Sequence, residues 1–245
     1  MTDVSEYSVL LKKIKEVFVD EYTTRWGRLV SGSQTAYVLA LRFDMLPDSL
    51  RPQAAARLVQ NIKDYGNHLT TGFLGTPHLC HVLTRYGYND VAYTLLMQQT
   101  YPSWLYPVKK GATTIWERWD GIRPDGSLQQ ANMNSFNHYA YGAIGDWMYK
   151  TITGINPVDS APGYKKILFK PRPGGGLTRA AAHLRTLYGT VSSSWTWSKG
   201  RFILDVTIPP NTTAELDLPG KTGTLHLGSG AYHYDYMLDA GNRSF

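Results

Sequence analysis

The chain has 245 residues, of which 42% are hydrophobic and 18% charged, enough for one large domain or a medium domain with a smaller one. Its formal net charge of +6 is spread without a basic cluster, so we expect no nucleic-acid partner. No apolar run approaches the roughly 18 residues of a membrane helix, and the first residues mix acids with lysines, so we expect a soluble, cytoplasmic protein without a membrane partner.

The first part of the sequence, residues 1–155, has helical periodicity. Apolar residues of the first predicted helix form one stripe, at Tyr7, Leu10, Leu11, Ile14, Val17 and Phe18. Ser33 is predicted to cap a second helix that runs to about Met45, and Pro52 and Pro77 fit the first turns of two later helices. Short connections between successive helices are typical of antiparallel helical hairpins.

The last predicted helix of this part follows a loop and ends at Gly154. Asn134 or Ser135 is its predicted cap, which would place Asn137 and His138 in its first turn. Cys80, the sole cysteine, lies in an apolar helical stretch and is predicted to be a buried thiol. The histidines and acidic residues are not spaced as metal ligands are, and no phosphate-binding or dinucleotide motif occurs. We therefore expect no cofactor.

From residue 163 to 245 the period changes to that of strands. The segment KKILFK at 165–170 is β-prone, and a hairpin is predicted with its turn at Ser198-Lys199-Gly200. Further strands are predicted at 214–218 and 224–227. We therefore predict a small all-β sandwich domain after the mainly α part, with the boundary in the turn-rich segment 153–163.

The segment GATTIWERWD at 111–120 sets one carboxylate, Glu117, between Trp116 and Trp119. One interpretation is an exposed loop acid that pairs with Arg118. The other is a partly desolvated carboxylate that acts as a general base, because aromatic surroundings favour that role near neutral pH. Surplus aromatic residues, with 7 Trp and 17 Tyr, suit either a hydrophobic core or a surface that stacks on sugar rings.

The segment SFNHYAYG at 135–142 offers His138 as a second candidate. It is either a histidine satisfied by local hydrogen bonds or a donor and acceptor for a sugar hydroxyl. The segment TGFLGTPHL at 71–79 is predicted to form a helix entrance near the same mouth.

Four stretches in this order resemble the bacterial α-L-rhamnosidases of glycoside hydrolase family 78: TGFLGTPHL, SWLYPVKKGATTIWERWD, SFNHYAYGAIGDWMY and GYKKILFKPRPGGGL. The resemblance covers most of the chain from about residue 31. It implies part of an (α/α)6 catalytic barrel followed by a C-terminal β-sandwich, and an enzyme that removes terminal α-L-rhamnose from rhamnosides. It also implies that Glu117 is the general base of an inverting reaction and that His138 contacts the sugar. To these we add Trp116, Trp119 and Trp104 as candidate wall residues.

The sequence departs from the family pattern in one respect: the segment that carries the family's general acid has no counterpart, and about half the helices of such a barrel are found. Exposed helix faces would then associate with a second copy or with the missing half. Three hypotheses follow. Activity requires the missing half; or this chain recruits an acid such as Asp44, Asp120 or Glu21; or it is a non-catalytic carbohydrate-binding or assembly fragment.

Overall fold

The computed structural model of the protein describes residues 2–238. Its contacts divide the chain into two compact units, one ending at Ala143 and the other beginning at Ile144. The domain ranges inferred from sequence, 1–155 and 163–245, remain predictions. Over the described range, no helix is long and apolar enough to cross a membrane.

The first unit is helical, as the periodicity predicts. Its α-helices are α1 Thr2–Tyr22, α2 Gln34–Arg42, α3 Arg51–Asp64, α4 Thr76–Arg85, α5 Asn89–Met97 and α6 Leu105–Lys109. The Ser33 side chain caps α2 by accepting a hydrogen bond from the N–H of Ala36, so the predicted cap is confirmed. The helix ends at Arg42, earlier than the predicted Met45.

The core of this unit lies where α2 packs on α3 and α4, and α4 on α5. Leucine and isoleucine side chains fill it, with Leu41, Leu58, Ile62, Leu79 and Leu83 fully buried. Successive packed helices of this kind are the helical hairpins that the sequence predicts. Cys80 lies in the same core, and burial raises the pKa of its thiol.

Helix α1 carries the predicted apolar stripe, but the stripe is exposed. Tyr7 is 69% exposed and Val17 is 58% exposed, and Leu10, Leu11 and Ile14 are also open to solvent. A single helix cannot bury its own apolar face. The stripe therefore has the composition of a face that packs against another element, but it is exposed to solvent.

The predicted helix beginning at Ser135 is wrong in its first part. A 3-10 helix begins only at Ala140, and α7 Ile144–Trp147 and a π-helical segment Met148–Ile152 follow in the second unit. The Ser135 carbonyl accepts a hydrogen bond from the Glu117 N–H, and the Phe136 carbonyl accepts one from the Thr114 hydroxyl. These carbonyls are therefore already engaged where a helix would need them, and Asn137 and His138 lie in an irregular segment instead.

The second unit is built mainly of strands. They are β1 Ile155–Pro157, β2 Lys166–Phe169, β3 Arg179–Thr186, β4 Gly189–Ser198, β5 Arg201–Ile208, β6 Thr213–Leu216, β7 Leu225–Leu227 and β8 Gly230–Met237. They form two four-stranded sheets, with orders β1-β2-β6-β7 and β3-β4-β5-β8. The β2–β6 pair is parallel, and the other neighbours are antiparallel.

The predicted hairpin is β4–β5, with Lys199 and Gly200 at its turn. Their φ angles of 51° and 79° lie in the left-handed region that a two-residue hairpin turn requires. The Trp195 side chain, 1% exposed, packs against Phe202 in the core of this unit, and its Nε1–H donates to the Ile152 carbonyl at 2.7 Å.

Candidate active site

Two irregular segments of the helical unit, 114–117 and 135–138, lie side by side and carry the candidate residues. The Glu117 N–H donates to the Ser135 carbonyl at 2.8 Å, and the His138 N–H donates to the Ile115 carbonyl at 2.8 Å. The Trp116 and Phe136 rings pack edge to face with centroids 5.0 Å apart. These contacts bring Glu117 and His138 onto two neighbouring irregular segments.

The Glu117 carboxylate is half-buried and anchored on one side. Its Oε2 accepts a hydrogen bond from the Ser135 N–H at 2.8 Å. Oε1 receives no hydrogen bond from any residue between 2 and 238. The carboxylate therefore has one oxygen fixed by the backbone and one oxygen available to water or substrate.

Arg118 does not pair with Glu117, in contrast to the bland interpretation of this loop. Its Nε donates to Asp120 Oδ1 at 3.0 Å, and Gln129 Nε2 donates to Asp120 Oδ2 at 2.6 Å. Burial alone would raise the pKa of Asp120, but the hydrogen bonds from Arg118 and Gln129 outweigh it and the pKa is lowered. Asp120 is thus held as a charged partner of Arg118.

Six aromatic rings form a continuous row in which some neighbours stack and others meet at an angle. Neighbouring members of the row are in ring contact, in the order Trp104, Trp119, Tyr141, Phe73, His138 and Tyr139. The tightest pair is Trp119 and Tyr141, which stack with centroids 3.7 Å apart and planes 8° apart. Trp119 is further fixed by its Nε1–H, which donates to the Thr71 carbonyl at 3.0 Å.

Two aromatic rings stack on the His138 imidazole. Phe73 stacks on one side with a centroid distance of 4.8 Å, and Tyr139 stacks at 5.2 Å. His138 Nδ1 accepts a hydrogen bond from the Ala140 N–H at 3.2 Å. Because Nδ1 acts as an acceptor, the proton of the neutral ring lies on Nε2, which is then a hydrogen-bond donor.

A groove of about 310 Å³ collects part of this set. Its lining includes Glu117, Trp119, Asp120, Tyr141 and Phe73. Burial is the main factor that raises the pKa of Tyr141, to about 12, so its hydroxyl stays protonated and can donate.

The predicted residues differ in their relation to this groove. Glu117 and Trp119 line it, whereas His138 does not line it and stacks on Phe73, which does. Trp104 and Trp116 are buried and instead line a neighbouring cavity of about 40 Å³. Sequence reasoning does not identify Phe73 and Tyr141 as site residues, although they lie in the two segments that it singles out, 71–79 and 135–142.

Of the three candidate acids, one lies near Glu117. Asp120 lines the same groove. Asp44 pairs with Arg51 and Arg85, at 3.2 and 2.7 Å, beside α3 and α4. Glu21 is exposed near the end of α1. Among residues 2–238, histidine, cysteine and acidic side chains form no group of three that could hold a metal ion.

Comparison with known proteins agrees with the two-part architecture. Residues 1–152 match the family described as the bacterial alpha-L-rhamnosidase 6 hairpin glycosidase domain. Residues 154–232 match the bacterial alpha-L-rhamnosidase C-terminal domain.

Individual relatives carry the same name. The chain is 50% identical over 217 residues to an alpha-L-rhamnosidase of Streptomyces avermitilis, a match that covers 89% of this chain and 21% of the relative. It is 46% identical over 215 residues to one of Formosa agariphila, covering 87% of this chain and 23% of the relative. The chain thus spans less than a quarter of the length of either of these curated relatives.

Solved structures are similar at the level of the fold. The crystal structure of the Streptomyces avermitilis alpha-L-rhamnosidase complexed with L-rhamnose matches with a TM-score of 0.90 and 45% identity, over 95% of this chain and 24% of that one. A native rhamnosidase of Aspergillus terreus matches with a TM-score of 0.90 and 39% identity, over 94% of this chain and 27% of that one.

Proposed function

Because the chain belongs to the bacterial α-L-rhamnosidases with a six-hairpin glycosidase domain, we propose that it forms part of the catalytic domain of an enzyme that releases terminal α-L-rhamnose from rhamnosides. Residues after this part form the C-terminal β domain of the same family. The substrates are rhamnose-containing glycosides.

Glu117 is the general base in this proposal, activating water for an inverting displacement. The observation that carries it is the asymmetric environment of the carboxylate: Ser135 N–H fixes Oε2, Oε1 receives no hydrogen bond from residues 2–238, and the residue lines the groove. A base must present one oxygen in a fixed direction to a water molecule, and a backbone donor supplies that direction at little entropic cost.

His138 binds the sugar in the same site. With Nδ1 held by the Ala140 N–H, its Nε2–H is a donor of fixed direction, suited to a sugar hydroxyl. Trp119, locked between Trp104 and Tyr141, is suited to form an apolar wall against the ring C–H groups. Trp104 contacts Trp119 directly, and Trp104 and Trp116 line the small cavity that Trp119 also lines.

An inverting reaction also needs a carboxylic acid, roughly 6.5–9.5 Å from the base. Asp120 is the nearby acid, but its hydrogen bonds to Arg118 and Gln129 favour the ionised form, which cannot donate a proton. We infer that the proton donor is supplied by the hairpins that complete the barrel.

The exposed apolar stripe of α1 supports the same inference. A six-hairpin domain needs a partner for each apolar helix face, and the α1 stripe has the composition of such a face. We propose that the completing hairpins of this domain cover it. If a second copy covered it instead, the mass in solution would be that of a dimer.

The test is an assay with an aryl α-L-rhamnoside, with the chain alone and after addition of the completing hairpins. We expect no turnover from the chain alone, and turnover after addition that Glu117→Gln abolishes. Robust turnover by the chain alone, lost in Glu117→Gln, would refute the need for completing hairpins. Loss in Asp120→Asn under those conditions would identify Asp120 as the acid.

Non-catalytic carbohydrate binding is the second candidate. The aromatic row favours it, because aromatic side chains can bind sugar rings without any catalytic acid. Calorimetric binding of rhamnose by the chain, combined with no hydrolysis after addition of the completing hairpins, would support this function over the first.

A further inference from the structure

A separate cavity of about 400 Å³ lies in the second, strand-rich unit, called the β unit below. It is beside β2–β6, the only parallel strand pair among residues 2–238. Phe169 of β2 is opposite Leu216 of β6, so Lys170 and Asp217 leave the sheet side by side. The Asp217 N–H donates to the Phe169 carbonyl at 2.9 Å and continues this pairing. The segment 218–224 forms the facing wall.

The cavity lining is positively charged. It includes Lys170, Arg172 and Lys221, with Asp217 as the one acid among the lining residues that are described. Both oxygens of Asp217 are engaged: Oδ2 pairs with Lys170 Nζ at 2.6 Å, and Oδ1 accepts from the Thr224 hydroxyl at 2.6 Å. The lining thus has three cationic side chains and one carboxylate, and it carries an excess of positive charge.

Arg172 is partly desolvated in this position. Burial lowers the pKa of its guanidinium, and the nearby Asp217 opposes that effect only in part. A guanidinium nevertheless remains charged at neutral pH, so its burial has an unfavourable solvation term. Arg172 therefore keeps a positive charge at the cavity wall.

Lys221 is held in place by its surroundings. Its Nζ lies 5.0 Å from the centroid of the Tyr236 ring, and the Tyr236 hydroxyl donates to the Pro219 carbonyl at 2.9 Å. The Lys221 N–H donates to the Leu218 carbonyl at 3.1 Å, with Gly220 at a φ of 67°. Proline and a left-handed glycine are the central residues of a type II turn, so this wall of the cavity is pre-formed.

We propose that this cavity binds an acidic sugar unit through its oxyanion, either the carboxylate of a uronate or the sulfate of a sulfated sugar, with Arg172 and Lys221 as the main ligands. Pro171 and Leu218 offer apolar surface to the sugar ring, and Thr222 offers a hydroxyl. The volume suits a monosaccharide. The choice of a sugar as carrier rests on the proposed function, whereas oxyanion recognition rests on the cavity alone.

Binding is measured by titrating the 15N-labelled chain with D-glucuronate, glucose 6-sulfate, inorganic sulfate and D-glucose at low salt. We expect at least one acidic sugar to shift the amide signals of 170–172 and 218–224 saturably, more tightly than inorganic sulfate, and glucose to leave them unchanged. Added salt should weaken the binding. Whichever acidic sugar binds more tightly identifies the source of the oxyanion.

Variants assign the effect to the cavity. Lys221→Gln should weaken binding about tenfold, and Lys221→Arg should retain it, because the charge and the ring contact are kept. Arg185→Gln removes an equal charge from an exposed position on β3 outside the cavity and should change nothing. Glu117→Gln should also leave this binding intact, which separates it from the rhamnosidase site.

Several results would overturn the proposal. They are no saturable shift with either acidic sugar, equal binding of glucose, and equal losses in Lys221→Gln and Arg185→Gln. Inorganic sulfate that binds as tightly as both acidic sugars would also overturn it, since the cavity would then select a bare ion.

Discussion

Glu117 and Ser135 hold each other through two hydrogen bonds of 2.8 Å. The Glu117 N–H donates to the Ser135 carbonyl, and the Ser135 N–H donates to Glu117 Oε2. The proposed base is thus oriented by main-chain groups of a neighbouring segment rather than by another side chain. Its position depends on the pairing of 114–117 with 135–138. Substitution of Glu117 by Gln or by Ala can separate this structural role from the chemical one.

Glu117→Gln keeps an oxygen acceptor for the Ser135 N–H, whereas Glu117→Ala removes it. We expect Gln to change the free energy of unfolding by less than about 0.5 kcal/mol, and Ala to lower it by about 1 kcal/mol. Turnover of an aryl rhamnoside by the completed domain should fall roughly 10²–10⁴-fold in both.

Urea denaturation measures the first effect and the rate assay the second. Turnover that survives in Glu117→Gln would contradict the role of this residue as the base. Equal stability of the two variants would instead indicate that water replaces the lost acceptor.

His138 and His233 should occupy opposite neutral tautomers. His138 Nδ1 accepts from the Ala140 N–H, which leaves the proton on Nε2. His233 Nδ1 lies 2.7 Å from Asp205 Oδ1, and because a carboxylate accepts, Nδ1 carries the proton there. Long-range 1H–15N correlation spectra at a pH where both rings are neutral distinguish the two forms.

Substitution assigns the two sets of histidine signals. His138→Asn should remove the set with the proton on Nε2, and His233→Asn the other set. A spectrum with the proton on Nδ1 of His138 would mean that its ring does not accept from Ala140, and the proposed Nε2 donor would then be lost.

The loop that carries Glu117 could be predicted from sequence because turn-forming residues surround it, and its acid stood out among tryptophans. The irregular backbone at 135–139 could not be predicted in the same way. Local pattern favours a helix there, and hydrogen bonds to a segment about twenty residues away prevent it. Tertiary contacts of this kind leave no trace in local periodicity.

The aromatic row has a similar explanation. Phe73 and Tyr141 lie far apart in sequence, and nothing in either segment indicates that the two rings meet. Strand β3 was also missed, because its run of alanines has weak strand propensity and its pairing with β4 determines its conformation. The stripe of α1 shows the opposite limit: periodicity identified the face but not what covers it.

Asp120 should make stability depend on pH in the acid range. Its folded-state pKa lies below the ordinary value of 3.8, despite burial, because of the hydrogen bonds from Arg118 and Gln129. Its contribution is therefore complete above the ordinary value and is lost as the pH falls through the lowered one. Arg118 is partly exposed, so solvent screens the pair, and we expect a contribution of about 1 kcal/mol or less.

The measurement compares the unfolding free energy of the parent and Asp120→Asn from about pH 6 to about pH 2.5. The parent should lose more stability than the variant on acidification, so the two curves should converge at low pH. Asp20→Asn, which removes an exposed carboxylate on α1, should run parallel to the parent. Parallel curves for Asp120→Asn would contradict a lowered pKa in the folded state.

Trp195 should be more sensitive to truncation than Trp197, its neighbour on β4. Its ring is fully buried, and its Nε1–H satisfies the buried Ile152 carbonyl. Trp195→Phe leaves a cavity and an unpaired carbonyl, and together these should lower the free energy of unfolding by roughly 2–4 kcal/mol. Trp197→Phe is the matched control, since Trp197 is only half-buried and should cost about 1 kcal/mol. Guanidinium denaturation followed by far-ultraviolet circular dichroism avoids any dependence on the fluorescence of the substituted residue. Equal losses in the two variants would mean that Trp195 is tolerant of truncation, and its bond to Ile152 would then contribute little to the unit.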